Sequence, residues 1–160
     1  MKGTNIEILD KMKILGTIVD RKLSWDDNCS MLIKKVNARM QLLRSLQSFG
    51  ASAQEMVHIW VLFCRSILEQ SCVVVGTSLT QENKDDLERT QKTLAKLILR
   101  EKYKNYDNAL LLLNLDTLEK RRQDLCLKFA KTGIKNDTLS DLFPMNEKKH
   151  KMQEMMKDTK

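Results

Sequence analysis

Two adjacent carboxylates, four thiols, two imidazoles and three rows of lysine and arginine are the groups in this 160-residue chain whose chemistry needs an account. Asp26 and Asp27 invite a metal reading. They follow a capping serine, Ser24, and Trp25 at the start of a helical pattern, where carboxylates partner the positive end of the helix dipole. Cys29, Cys64, Cys72 and Cys126 include no C-x-x-C pair, and on one helix Cys64 and Cys72 stand about 12 Å apart, beyond disulfide reach. Reduced thiols are expected. His58, between Val57 and Ile59, reads as a core or boundary histidine, and with His150 it makes no zinc spacing. There is no glycine-rich phosphate loop, no H-E-x-x-H and no carboxylate pair framed by strands. No catalytic residue, metal or cofactor is expected.

The basic residues carry more information. Net charge is +7, which fits either an acidic partner, nucleic acid before anionic membrane, or simple solubility. Between Asn28 and Gln54 there is no acid, but Lys34, Lys35, Arg39 and Arg44 are present. Ordinary surface helices mix signs. A second acid-free row, Arg89, Lys92, Lys96 and Arg100, shares one helix sector opposite Leu87, Leu94 and Ile98. That row reads equally as a solvated face favoured by the dipole or as a set of phosphate contacts. Lys120, Arg121 and Arg122 form a third cluster, read as surface solvation with partner contact as the alternative.

The elements that position these rows are mostly helical. Glu55–Val75 is apolar on nearly every side, opens with the capping box Ser52-Ala-Gln-Glu55 and closes at Gly76 in a left-handed conformation. It reads as one long helix at the centre of a bundle, too interrupted by His58, Arg65, Glu69 and Gln70 to span a membrane. Leu32, Val36, Met40, Leu43 and Leu46 mark a core-facing helix that Gly50 stops. Thr80 caps a helix rich in early acids, residues 105–115 make a short apolar helix, and Asp116-Thr-Leu-Glu119 caps a last one through Lys131. Leu118, Leu125, Cys126, Phe129 and Ala130 form its expected buried face. Residues 5–23 form a hairpin with its turn at Asp10-Lys11. Residues beyond Pro144 read as a mobile basic tail, and Met1-Lys-Gly-Thr does not begin a signal peptide.

Four segments, in order, resemble one family. KMKILGTIVDRKLSW (residues 11–25) resembles the stretch after the catalytic core in reverse transcriptases of LINE-type (non-LTR) retrotransposons, where a Y-L-G-V strand is followed by D-x-K-L-x-W. Ile14, Leu15, Gly16 and Thr17 occupy the first motif; Asp20, Lys22, Leu23 and Trp25 match the second. Residues 63–99 resemble the same family's helical thumb. DTLEKRRQDLCLKFAKTG (116–133) is similar to its L-x-x-R-R-x-x-L helix. The similarity runs from about residue 11 to Pro144, with Ile14 in place of the usual aromatic and Val75 in place of a common tryptophan. The resemblance implies a primer grip at Leu15 and Gly16 and a thumb that holds template–primer duplex by its backbone. The family's catalytic aspartates lie upstream of the grip, so this stretch is expected to be non-catalytic, a C-terminal piece of such an enzyme.

The expected fold is therefore mainly α, a thumb-like helical bundle with a short N-terminal β-hairpin: hairpin 1–25, bundle 26–135, loop and tail 136–160. The expected partner is RNA–DNA or other duplex nucleic acid, bound without sequence preference through Lys34, Lys35, Arg39, Arg44, Arg89, Lys92, Lys96 and Arg100. A palm domain or a second copy against the hairpin edge is a further expected partner, and a membrane is not. The location is intracellular, nucleus or cytoplasm. The alternative is a helical interaction module, or a retroelement relic that binds no nucleic acid.

Overall fold

The computed structural model describes residues 8–76 and 78–136. The expected tail beyond Pro144 and the first residues of the expected hairpin lie outside them. The order is strands β1 (Lys11–Ile14) and β2 (Thr17–Asp20), then helices α1 (Asp26–Ser48) and α2 (Ala53–Ile59). A π-helical segment (Trp60–Arg65) leads into α3 (Ser66–Leu68), followed by α4 (Cys72–Val75), α5 (Gln81–Leu99), α6 (Tyr106–Leu113) and α7 (Leu118–Ile134). This is the expected mainly α architecture with a short N-terminal hairpin. Among the described residues, no helix is long and apolar enough to cross a membrane. By its contacts the chain divides into two compact units between Gln123 and Asp124, inside α7. In the second unit Phe129, expected to be buried, is 40% exposed.

In the first unit, β1 and β2 pair antiparallel from Lys11↔Asp20 to Ile14↔Thr17. The turn is Leu15-Gly16, not Asp10-Lys11. Both turn residues have positive φ, 47° and 86°, as a two-residue type I′ loop requires. The D-x-K-L-x-W stretch is then folded by one carboxylate. Asp20 accepts from the backbone N–H of Lys22 (2.8 Å), Ser24 (3.1 Å) and Trp25 (3.3 Å), and from the Ser24 hydroxyl (2.9 Å). These bonds hold Leu23 and Trp25 at positive φ, a conformation that costs a non-glycine residue about 1–2 kcal/mol. Trp25 is thereby turned into the core at 5% exposure and is itself the N-cap of α1; Ser24 is not the cap.

Helix α1 is the central one: it contacts β2, α2, the π segment, α3 and α5. Leu32, Val36, Met40 and Leu43 are each buried, every such side chain contributing about 1.5–3 kcal/mol relative to exposure. Its end is a Schellman motif, with Ala51 N–H bonded to Leu46 O (3.0 Å) and Gly50 N–H to Gln47 O (3.1 Å). Gly50 has φ +87° there. The Ser52–Glu55 capping box forms as expected.

The expected long helix to Val75 does not survive intact. It passes into π geometry at Trp60, runs out at Leu68 and resumes as α4 only after Ser71 at φ 57°. Gly76 is right-handed (φ −58°), so Ser71 and not Gly76 makes the left-handed break. The physical cause is tertiary. The hairpin tip docks onto the break, where Thr17 Oγ1 hydrogen-bonds Ser71 Oγ and a Cβ on Gly16 would lie 2.7 Å from Gln70 Nε2. Trp60, Cys64 and Leu68 are buried, whereas Leu62 and Phe63 are more than half exposed. His58 is exposed too, which corrects the core reading of it.

Helix α5 runs parallel to α1, tied by Asn83 Nδ2 donating to Asp26 (2.8 Å) near their starts and Gln47 Nε2 donating to Leu97 O (2.6 Å) near their ends. Thr80 caps it at Asn83 N–H and Asn105 caps α6 at Asn108 N–H. At α7 the expected box is replaced. Thr117 accepts from Lys120 N–H (3.2 Å), and Glu88, reaching from α5, accepts from Leu118 and Glu119 N–H (3.3 Å each).

Candidate nucleic-acid interface

Between β1 and the first half of α1 lies an open groove of about 650 Å3, lined by Lys11, Met12, Lys13, Ile18, Asp27, Ser30, Met31, Lys34 and Lys35. Two features of the sequence build its walls. Lys11 and Lys13 are two apart on a strand and so share a face. Lys34 and Lys35 lie on the side of α1 away from its buried stripe. The hairpin is held against α1 by Ile18 N–H donating to the buried Asn28 Oδ1 (3.1 Å). Four cations and one acid thus face each other across a gap. Asp27 pairs with Lys11, and that hydrogen bond holds the Lys11 ammonium above its ordinary pKa. Lys13, Lys34 and Lys35 have no carboxylate partner among the described residues.

The eight basic residues singled out from sequence are all exposed, but they do not form one patch. At about 100° per residue, Asp26 and Gln47 mark the flank of α1 that α5 occupies, and Arg44 falls on that flank. Lys34, Lys35 and Arg39 fall on the others, toward the hairpin and the π segment. Arg39 also has structural work: its guanidinium donates to Phe63 O, a carbonyl within the π segment. On α5, Asn83 and Leu97 mark the side facing α1, while Arg89, Lys92 and Lys96 face away. Arg89 is paired with Asp86 (2.7 Å). Lys92 sits 5.1 Å from the Tyr106 ring centroid and Lys96 5.6 Å from that of Tyr103, cation–π contacts that restrain both amines. Arg100 closes α5 at φ 47°. Lys34 and Lys35 therefore belong with the groove, Arg39 stands farther along α1 against the π segment, and the α5 set forms a separate face.

Lys11 and Lys13 were missed in the basic rows because they sit on a strand, where the helical spacing that exposed the other rows does not apply. Their K-x-K alternation was the available signal. Leu15 and Gly16, taken as the gripping pair, occupy the hairpin tip, with Leu15 97% exposed.

The third basic cluster is largely internal. Arg121 forms a two-pronged pair with Glu69 (Nε to Oε1 3.0 Å, Nη2 to Oε2 3.3 Å), and Arg65 reaches the same carboxylate at 3.4 Å. Arg122, 7% exposed, donates to Leu68 O at the end of α3. The R-R pair thus ties the start of α7 to the break at the end of α3, which corrects the solvated-surface reading of both arginines. Only Lys120 of the three stays on the surface, paired with Asp116 (2.6 Å).

Other titrating groups are structural as well. Burial, then the hydrogen bond to Glu88, pushes the Tyr106 phenol up. Burial raises the Cys29 thiol to about 11 and also raises Cys64. Asp26 and Asp27 are engaged by Asn83 and Lys11 in the way described, and among the described residues no group of three or more His, Cys, Asp or Glu is placed to hold a metal ion.

No protein-family model matches this chain, no curated protein is recognisably similar to it, and no solved structure matches it.

Proposed function

We propose that the chain is a non-catalytic, thumb-like module of the LINE-type reverse-transcriptase lineage that holds template–primer nucleic acid by its phosphate backbone. The observation that carries this reading is the groove: Lys11, Lys13, Lys34 and Lys35 converge from two elements with a single acid among them. Lysine ammoniums so arranged serve as point charges for phosphate and carry no sequence information. The motif resemblance supports the lineage independently of the charges, and the D-x-K-L-x-W stretch and the hairpin that carry part of it lead directly into the two walls of the groove. The chain's part is to hold and orient a strand in an intracellular setting, nucleus or cytoplasm. The reading is tested by charge reversal. Lys34→Glu with Lys35→Glu weakens RNA–DNA hybrid binding across unrelated sequences, and Lys92→Glu with Lys96→Glu reports whether the α5 face takes part. Unchanged binding in the first variant refutes the groove.

A second reading is favoured by one observation. All four residues of β1 are exposed, and with Leu15 they offer an uncovered edge and an apolar tip. A palm domain, or a second copy of the chain, would dock there without any nucleic acid. Concentration-dependent gel filtration that Leu15→Lys abolishes supports this reading.

A further inference from the structure

The cationic side of α1 does not stop where the hairpin ends. Lys35, Arg39, Leu42 and Leu46 recur at helical spacing along one flank, and the line finishes in a hollow lined by Leu46, Phe49 and His58. From Lys35 to Phe49 it runs about 21 Å. Beside its middle stands Phe63, placed there by the bond from the Arg39 guanidinium to its carbonyl. Phe63 is 55% exposed, and Phe49 at the far end is 87% exposed. Such π segments inside helices recur at functional sites. No acid occurs between Asn28 and Gln54, and Glu55, at the rim of the hollow, spends its carboxylate on Ser52.

We propose that Phe63 is a stacking platform for an unpaired nucleobase in the single-stranded part of the template–primer that the lysine groove holds. This deepens the groove reading and rests on it. Phosphates of the paired region occupy the groove between β1 and α1, and the strand leaves along α1 past Arg39. A paired base hides its faces in the stack; an unpaired one offers a π-face, which an exposed aromatic beside a row of cations is suited to receive. Arg39, donating to the Phe63 carbonyl, ties the backbone that carries this residue to the cationic flank of α1.

The test is fluorescence titration of the whole chain with a blunt RNA–DNA hybrid, the same hybrid with a short unpaired extension bearing a fluorescent adenine analogue, and the single strand alone. The wild type binds the extended hybrid about 5-fold or more tighter than the blunt one and quenches the analogue. Phe63→Ala loses the preference and the quenching but keeps its affinity for blunt hybrid, and Phe63→Trp retains both. Equal binding of blunt and extended hybrid by the wild type overturns the proposal. So does a preference that survives Phe63→Ala, or a Phe63→Ala change seen only in self-association by gel filtration. Lys34→Glu with Lys35→Glu separates the layers: it weakens every probe if the groove holds phosphate, whatever Phe63 does.

Discussion

Replacing Gly16 by alanine tests how the hairpin is held against the bundle, and with it the wall that carries Lys11 and Lys13. Gly16 sits at φ +86°, and a Cβ there would come 2.7 Å from Gln70 Nε2 and 3.9 Å from Gln70 Cδ. Two costs follow. The left-handed backbone charges an alanine about 1–2 kcal/mol. The contact with Gln70 adds little, because the atom met is the far end of a flexible side chain. The whole effect is therefore about 1–2 kcal/mol, and most of it is conformational. With a urea slope of roughly 1–3 kcal/mol/M, the unfolding midpoint falls by about 0.5–1 M at unchanged slope. The double variant Gly16→Ala with Gln70→Ala recovers only a small part. Full recovery in the double variant would show that the clash, not the turn, sets the cost. No loss at all would mean that the Leu15-Gly16 turn is not left-handed.

The acid limb of stability reports on Asp20. Partial desolvation raises its carboxyl, but the Ser24 hydroxyl and the backbone N–H groups of Ser24, Lys22 and Trp25 together bring it below its ordinary value. Its contribution is present above the unfolded value near about 4 and is lost as pH falls through the lower folded value. Asp20→Asn therefore lowers the urea midpoint at neutral pH, and the gap to the wild type closes in acid. Arg122→Met removes a charged donor from the Leu68 carbonyl and costs about 2–3 kcal/mol by urea titration, while Lys120→Met costs almost nothing. Burial holds the Cys29 thiol up at about 11, so at mildly alkaline pH an alkylating reagent followed by peptide mass analysis labels Cys126 before Cys29. Labelling of Cys29 then tracks unfolding.

Features that depend on a few neighbouring residues were readable from the chain. The Ser52–Glu55 box, the Thr80 cap and the Gly50 stop satisfy backbone groups within one turn, and the core stripe of Leu32, Val36, Met40 and Leu43 repeats at helical spacing. The misreadings of the long helix and of the α7 arginines share one cause. Ser71 takes a left-handed conformation because the hairpin tip meets it, and the π segment's Phe63 carbonyl finds Arg39 from another helix. The Leu68 carbonyl likewise finds Arg122 from more than fifty positions away. Local propensity contains none of these partners. For the same reason the helix from Glu55 looked continuous and the arginines of α7 looked solvated. The site was half visible: Lys34 and Lys35 stood out by helical spacing, but the strand lysines that complete the groove became meaningful only once the turn was placed at Leu15-Gly16.

The most direct measurement is the salt dependence of binding to an RNA–DNA hybrid of arbitrary sequence. Each phosphate neutralised contributes a slope of about −0.9 in log affinity against log salt concentration for duplex. Lys13, Lys34 and Lys35, the groove lysines without a carboxylate partner, predict about −3, falling to about −1 when Lys34 and Lys35 are both replaced by alanine. An affinity that does not change with salt, or a slope untouched by those two substitutions, would contradict the claim that this groove holds a phosphate backbone.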